Sequence, residues 1–245
     1  MKIALAAKPV IDRDIAHNLQ VILQTLELLK EQADLVLFGE ATLHGFDALT
    51  WDPVQDSGIA VCQDSNAIAS IRQAAKTFQT AVCFGYLEKT EGNFYSSQMF
   101  VGHNGEIVQN YRRVSPGWRE HFTDPAYKEG PDFTAFSYGG RRFSIALCGD
   151  LWYDENVRQI AQLHPDIVLW PVWCDYAPEK WNGPIKKEYA AQAALTDTAT
   201  VLVNPVCTTP GRAEPSAAGG TALFDGGIIR AELPAGHEGV LIVDI

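Results

Sequence analysis

The sequence predicts a layered α/β fold, and three observations support this prediction. Short apolar runs alternate with segments whose apolar residues recur at helical spacing. Two regions have the signature of β-hairpins, which favours layered packing over a single parallel sheet. No segment of the 245 residues has the composition of a linker. We therefore expect residues 1–245 to form one domain.

The first half of the chain alternates strands and helices. Apolar residues at helical spacing predict one helix around residues 19–29 and a second around residues 67–75, and Ser65 is a suitable cap for the second. The turn at His103–Glu106 contains Asn-Gly, the strongest short hairpin signal. The predicted strands are Ile3–Ala7, Asp34–Phe38, Ala81–Gly85, Tyr95–Val101 and Ile107–Val108.

The second half begins with an irregular stretch, residues 113–134, which is rich in proline and glycine. A loop of this length inside a compact domain is usually functional. Helices are predicted to begin at Asp154 and at Pro184, the latter reaching about Asp197. The predicted strands are Phe143–Leu147, Asp166–Trp170, Val201–Val203 and two hairpin-like strands that close the chain, Thr221–Phe224 and Val240–Val243.

Composition excludes several classes of protein. Nineteen basic residues against 30 acidic ones give a net charge of -11, which argues against binding to nucleic acid or to an anionic membrane surface. The apolar run at the N-terminus is short and is interrupted by Lys8 and Pro9, unlike a signal peptide. No stretch approaches the roughly 20 apolar residues of a membrane span. We expect a cytoplasmic protein.

The cysteines do not indicate a disulfide framework or a zinc site. Their number is odd, their spacing is wide, and no Cys-x-x-Cys occurs. No pair of histidines has metal-ligand spacing either, so we expect His44 and His121 to be solvated and no metal to be bound. The cysteines are Cys62, Cys83, Cys148, Cys174 and Cys207.

Two strand ends carry reactive side chains. Glu40 and Cys148 each follow an apolar run directly. Strand ends in α/β folds present reactive groups because the strand is rigid and the following turn opens a cleft. Considered alone, Glu40 is more simply interpreted as a solvated turn residue and Cys148 as a core cysteine. Asp150 and Asp154 are expected to cap helices or to hydrogen-bond the turn after Cys148.

Read together and in order along the chain, these segments resemble the motifs of the nitrilase, or carbon–nitrogen hydrolase, superfamily. The resemblance covers essentially the whole sequence. It implies a four-layer αββα sandwich. The segments that carry it are Leu37–Glu40, Asn104–Arg113, Phe143–Trp152, Val201–Pro205 and Gly219–Gly227.

The resemblance also implies a chemistry. Cys148 would attack the carbon of a small amide or N-carbamoyl amine and form a thioester, with Glu40 as general base. The backbone N–H of Gly149 would help to bind the oxyanion. Glu120 would orient the catalytic cation or the substrate. Trp173 would line the substrate pocket, although packing under a loop is an equal alternative. No cofactor or metal is implied.

One position departs from the family pattern, which expects Tyr-Arg-Lys where this chain has Tyr-Arg-Arg. Arg113 therefore replaces the catalytic lysine. It can supply a fixed charge to an oxyanion, but its guanidinium is larger and planar. Alternatively, Lys128 fills the space, or the protein is a weak or inactive nitrilase-fold protein that binds a small molecule or a partner. Hydrolysis of a nitrile is a further alternative. The resemblance implies a homodimer or a larger even homo-oligomer.

Overall fold

Two six-stranded β-sheets form the centre of the protein in the computed structural model, which describes residues 1–245. The first sheet has the strand order β15-β1-β3-β4-β5-β6. Its strands are β1 (Lys2–Ala7), β3 (Leu35–Phe38), β4 (Ala81–Thr90), β5 (Asn93–Val101), β6 (Ile107–Arg112) and β15 (Gly239–Asp244). Strands β1, β3 and β4 run parallel, and the other pairings are antiparallel.

The second sheet has the order β14-β13-β10-β9-β8-β7. It has a parallel centre of β8, β9 and β10 flanked by antiparallel strands. Its strands are β7 (Ala135–Tyr138), β8 (Arg141–Ile145), β9 (Ile167–Pro171), β10 (Ala199–Val203), β13 (Thr221–Asp225) and β14 (Ile228–Leu233). A small third sheet joins β2 (Pro9–Ile11), β11 (Val206–Thr208) and β12 (Ala217–Ala218).

Alternation along the strands divides the core into layers. The helices are α1 (Ile15–Leu29), α2 (Pro53–Asp56), α3 (Asn66–Phe78), α4 (Asp154–Gln162), α5 (Pro178–Lys180) and α6 (Lys186–Ala194). In β1, Ile3 and Leu5 belong to the core shared with the second sheet, whereas Ala4 and Ala6 pack with the helices α1 and α3. Val157 of α4 and Tyr189 of α6 pack into the core of the second sheet. The predicted αββα sandwich is confirmed.

Several predicted local signals are also confirmed. Ser65 caps α3 by accepting from the backbone N–H of Ile68, and Asp154 begins α4. Gly105 has a φ of 81° in the turn between β5 and β6. Within residues 113–134 the one regular element is a single 3₁₀ turn, Pro116–Trp118.

Two predictions near the end of the chain were wrong. The helical region predicted from Pro184 begins at Pro178 and ends at Ala194, and Gly183 interrupts it with a non-helical backbone. The last two predicted strands do not pair with each other. Strand β13 forms its hairpin with β14, a strand that was not predicted, through the glycines at 226 and 227, both with positive φ. Strand β15 instead pairs with β1 and forms the edge of the first sheet.

The carboxyl ends of the parallel strands position the candidate site. Glu40 follows β3 in the first sheet. Cys148 follows β8, and Trp173 follows β9, in the second sheet. Arg113 follows β6 at the edge of the first sheet. No helix combines the length and apolar character that a bilayer-spanning segment needs.

Candidate active site

Glu40 lies at the base of the site, where β3 ends. Its carboxylate is buried, and Oε1 accepts a hydrogen bond from Ser96 Oγ at 3.1 Å. Oε2 has no hydrogen-bond partner in the protein. The chain turns sharply after Glu40, because Ala41 has a φ of 57°. The interpretation of Glu40 as a solvated turn residue was therefore wrong: the turn directs its side chain inward, between the two sheets.

Arg113 points at the same carboxylate. Its Nη1 lies 3.1 Å from Glu40 Oε1, and its Nε donates to Ser115 Oγ at 2.8 Å. Only 5% of the side chain is exposed, so the ion pair is buried. The preceding Arg112 faces the other way and forms a two-pronged ion pair with Glu88. Successive side chains of a strand point to opposite faces, so Arg112 has a structural role whereas Arg113 lies inside the site.

Cys148 lies on a strained turn after β8. Its φ of 41° is in the left-handed region, which is uncommon for residues other than glycine and often marks functional sites. Trp170 Nε1 donates to the Cys148 carbonyl at 2.9 Å and holds the turn in place. The half-buried thiol donates to the carbonyl oxygen of Trp173 at 3.5 Å. The turn places Sγ near Glu40 and Arg113.

Burial dominates the electrostatics of the site. Burial raises the pKa of Glu40, although the charge of Arg113 and the hydrogen bonds from Arg113 and Ser96 oppose that rise, as does the nearby Cys148 thiol. Burial disfavours the charged form of Arg113, but the charge and hydrogen bond of Glu40, together with contributions from Cys148 and Asp150, outweigh burial and raise the pKa of Arg113 above the usual range. Arg113 therefore stays charged, and Glu40 is a stronger base than an exposed glutamate.

Asp150 connects the segments that carry Arg113 and Cys148. Its buried carboxylate accepts from Tyr111 Oη at 2.6 Å, from the backbone N–H of Ser115 at 2.7 Å and from that of Leu147 at 2.8 Å. Tyr111 and Ser115 flank Arg113 on either side, and Leu147 precedes the cysteine. The prediction that Asp150 hydrogen-bonds this turn is confirmed.

Asn204, at the end of β10, fixes the segment after β9. Its Oδ1 accepts from the Cys174 backbone N–H at 3.0 Å, and its Nδ2 donates to the Cys174 carbonyl at 3.1 Å. The Cys174 thiol lies 3.0 Å from Tyr189 Oη. Hydrogen bonding with Cys148 and burial raise the pKa of Cys174. Cys174 is thus a neutral neighbour of the predicted nucleophile.

The structure brings together some of the predicted site residues and leaves others apart. Glu40, Arg113 and Cys148 converge, and Gly149 lies against Arg113. Glu120 is exposed and makes no side-chain contact with the Glu40–Arg113 pair.

Trp173 contributes its carbonyl oxygen to the thiol, while its ring is buried in a small apolar cluster and lies 6.0 Å from the ring of Phe46. This burial favours the packing interpretation of the ring. Lys128 is exposed and lies outside the cluster.

Other supporting residues were missed or misjudged. No motif marks Ser96 or Ser115, because their roles depend on strand pairing and on loop path. His44 was predicted to be solvated but is buried, and its Nδ1 accepts from the backbone N–H of Leu87 at 3.1 Å. Burial lowers the pKa of His44 to about 3, so the ring is neutral and structural. His121 is exposed, as predicted.

Comparison with protein-family models matches residues 2–245 to the carbon-nitrogen hydrolase model. The chain belongs to the carbon-nitrogen hydrolase family, in agreement with the resemblance found in its motifs.

Two curated relatives are amidases by name. An (R)-stereoselective amidase from Pseudomonas sp is 29% identical over 169 residues, which cover 69% of this chain and 59% of that protein. A formamidase from Pseudomonas syringae pv. syringae is 27% identical over 176 residues, covering 69% of this chain and 48% of that protein. The matched region thus spans about half to three-fifths of these relatives.

Solved structures share the fold. A mutant of the amidase from Nesterenkonia sp. AN1, with acrylamide added at its active-site cysteine, superposes with a TM-score of 0.80 at 22% identity, covering 100% of this chain and 93% of the other. A superfamily protein from Xanthomonas campestris, with an arsenic adduct in its active site, gives 0.82 at 22% identity, covering 99% and 89%. These similarities establish the sandwich architecture.

Replacement of Asp150 tests the connection between the two segments. An asparagine has one carboxamide oxygen, so in Asp150→Asn at least one buried donor would lose its acceptor, and we expect unfolding free energy to fall by about 3 kcal/mol. The exposed Asp154 provides the control, and Asp154→Asn should cost no more than about 1 kcal/mol. Urea denaturation measures both. Equal losses in the two variants would contradict the role assigned to Asp150.

Proposed function

We propose that the protein is a cysteine-dependent amidohydrolase that cleaves a small non-peptide C–N bond through a thioester. The observation that carries this proposal is the convergence of a buried carboxylate, a buried cation and a cysteine on a strained turn. A nucleophile, a base and an oxyanion-stabilising charge are the groups that acyl transfer requires.

In the first half of the proposed reaction, Cys148 forms the thioester. Its thiol turns from the Trp173 carbonyl and gives its proton to Glu40 Oε2, the carboxylate oxygen without a partner. Sγ attacks the substrate carbonyl carbon, and the carbonyl electron pair moves onto oxygen. Glu40 then returns the proton to the substrate nitrogen, the C–N bond breaks, and ammonia or an amine leaves.

In the second half, water hydrolyses the thioester. Glu40 takes a proton from the attacking water, and the oxygen bonds to the acyl carbon. The C–S bond breaks, and the proton returns to the Cys148 sulfur as the carboxylic acid product forms. The carboxylate is thus regenerated after each half-reaction, and no external acid or base is consumed.

Arg113 is proposed to stabilise the oxyanion in both halves. Its Nε and Nη1 are used by Ser115 and Glu40, but Nη2 donates to no protein group and is not sealed from solvent. A guanidinium holds its donors in a fixed plane. Two donors anchor the group while the third faces the substrate, together with the backbone N–H of Gly149. Arg113 thereby supplies the positive charge that the family pattern assigns to lysine.

An amide substrate is supported by the relatives, which include an (R)-stereoselective amidase and formamidases. A non-catalytic binding role remains the second candidate, because Arg113 stands at the lysine position. The buried Glu40–Arg113 pair favours the enzyme, since burying two charges is costly and a binding scaffold does not require it.

Ammonia release tests the proposed activity. A suitable panel contains formamide, short aliphatic amides, glutamine, an N-carbamoyl amine and an aliphatic nitrile. We expect hydrolysis of at least one amide-type compound and its loss in Cys148→Ala. The matched control is Cys62→Ala, which removes an exposed cysteine and should leave the rate unchanged. In intact-mass spectra of reaction mixtures quenched with acid, the acyl group should appear on Cys148.

Two outcomes would contradict the enzyme proposal. One is that the wild-type protein releases no ammonia from any compound of the panel and that iodoacetamide does not alkylate Cys148. The other is turnover that survives in Cys148→Ala, which would place the nucleophile elsewhere.

The pH dependence tests the coupling of Glu40 to Arg113. The reaction needs ionised Glu40, so kcat/KM should fall as pH drops through the raised pKa of that group. Arg113→Met removes a neighbouring positive charge, so the acid limb of its residual activity should move upward by about 1–3 pH units. Lys128→Met, which removes an exposed lysine of the same loop, should leave the limb in place. If the acid limb of the kcat/KM profile lies at the same pH in the wild type and in Arg113→Met, the coupling of Glu40 to Arg113 is refuted.

We also propose self-association and a cytoplasmic location. The five free cysteines support the location, because a reducing compartment keeps thiols unpaired. The helix after the nucleophile, α4, is preceded by Trp152 and Tyr153, each 43% exposed. Large exposed aromatic side chains next to each other favour a protein–protein contact. An even-numbered homo-oligomer built on this face is consistent with the expectation from the family.

A further inference from the structure

Gly149, the residue after the nucleophile, lies directly beneath the Arg113 guanidinium. A Cβ atom built on Gly149 would overlap Arg113 Nη2, and it would lie 3.4 Å from Cζ and 3.3 Å from Ser115 Oγ. The three atoms nearest to it all belong to Arg113 or to the serine that anchors Arg113. The space left by the missing side chain is therefore filled by the guanidinium.

The backbone does not require glycine at this position. Gly149 does not have a positive φ, whereas Cys148 next to it has a φ of 41°. The strain of the turn is thus carried by the cysteine, and residue 149 has a conformation open to any amino acid. What excludes a side chain at position 149 is the terminal nitrogen of Arg113.

Arg113 could not simply move aside to admit a methyl group. Its Nη1 is held by Glu40 and its Nε by Ser115, both within 3.1 Å. Both partners are buried. A rotation that moved Nη2 away from residue 149 would break the ion pair with Glu40 in a low-dielectric site, where an unpaired charge is costly. A side chain at 149 would therefore displace the charge that faces the substrate.

We propose that Gly149 is a positioning residue, which makes room for arginine at the place of the catalytic lysine and so sets where the oxyanion-stabilising Nη2 lies. The inference rests on the proposed function. It states that positions 113 and 149 form a matched pair: arginine requires glycine, whereas a lysine, whose ammonium is compact and unbranched, tolerates a side chain there.

A double-mutant cycle tests the pairing. The proteins compared are the wild type, Gly149→Ala, Arg113→Lys and the double variant, assayed for kcat and KM on the best amide substrate. In the arginine background, Gly149→Ala should lower kcat/KM by about 100-fold, mainly through kcat, as expected when an oxyanion donor is misplaced. In the lysine background the same change should cost less than about 5-fold, so the two effects are strongly non-additive.

Gly117→Ala is the matched control. A Cβ on Gly117 would also lie near this nitrogen, but at 4.0 Å from Nη2 and 3.5 Å from Tyr153 Oη, so it fits without displacement. Gly117 also lacks a positive φ. We expect kcat/KM of this variant to stay within about 2-fold of the wild type.

If Gly149→Ala does not fold in the arginine background, the pairing is tested by the thermal unfolding midpoints of the same variants. The double variant should then fold, with a midpoint within about 3 °C of Arg113→Lys. The pairing is overturned if Gly149→Ala costs the same in both backgrounds, or if it leaves kcat/KM unchanged with arginine present. Failure of the proposed function would look different, because the wild type itself would then be inactive while the thermal midpoints still reported the steric pairing.

Discussion

The ion pair between Glu40 and Arg113 is the interaction on which the site depends. Both groups are buried and 3.1 Å apart. Removing two charges from water is expensive, and the pair persists only because further hydrogen bonds satisfy it. Ser96 supports the carboxylate and Ser115 the guanidinium. One carboxylate oxygen and one terminal nitrogen of the pair have no protein partner, and these are the atoms to which we assign roles in the proposed reaction.

The fold brings these groups together from distant parts of the chain. The glutamate ends a parallel strand of one sheet, and the cysteine ends a parallel strand of the other. Face-to-face packing of the sheets brings the two strand ends close together. Asp150 then joins the arginine segment to the turn before the cysteine through three hydrogen bonds. The packing of the two sheets therefore sets the approximate positions of the site residues, and the hydrogen bonds of the loops fix them more closely.

The sequence predicted the architecture and the three converging residues because their signals are local. Apolar runs mark strands, and a reactive residue directly after such a run marks a strand end. The roles of Ser96 and Ser115 and the inward direction of Glu40 could not be predicted, because they depend on pairing between strands and on the path of the loops. Glu120 was selected from a local pattern, yet its loop carries the side chain to the surface. The need for glycine at position 149 could not be predicted, because it depends on where the guanidinium of Arg113 lies, and Arg113 is 36 residues away in the sequence.

The central claim is that the Arg113 guanidinium supplies the charge that stabilises the oxyanion. Chemical rescue of Arg113→Ala tests it most directly, since the substitution leaves a buried space beside Glu40 that matches the lost group. We expect kcat/KM of the variant to fall by roughly 100-fold or more, and millimolar guanidinium chloride to restore part of it, with methylammonium restoring less. An Arg113→Ala variant that hydrolyses its substrate at the wild-type rate would contradict the claim.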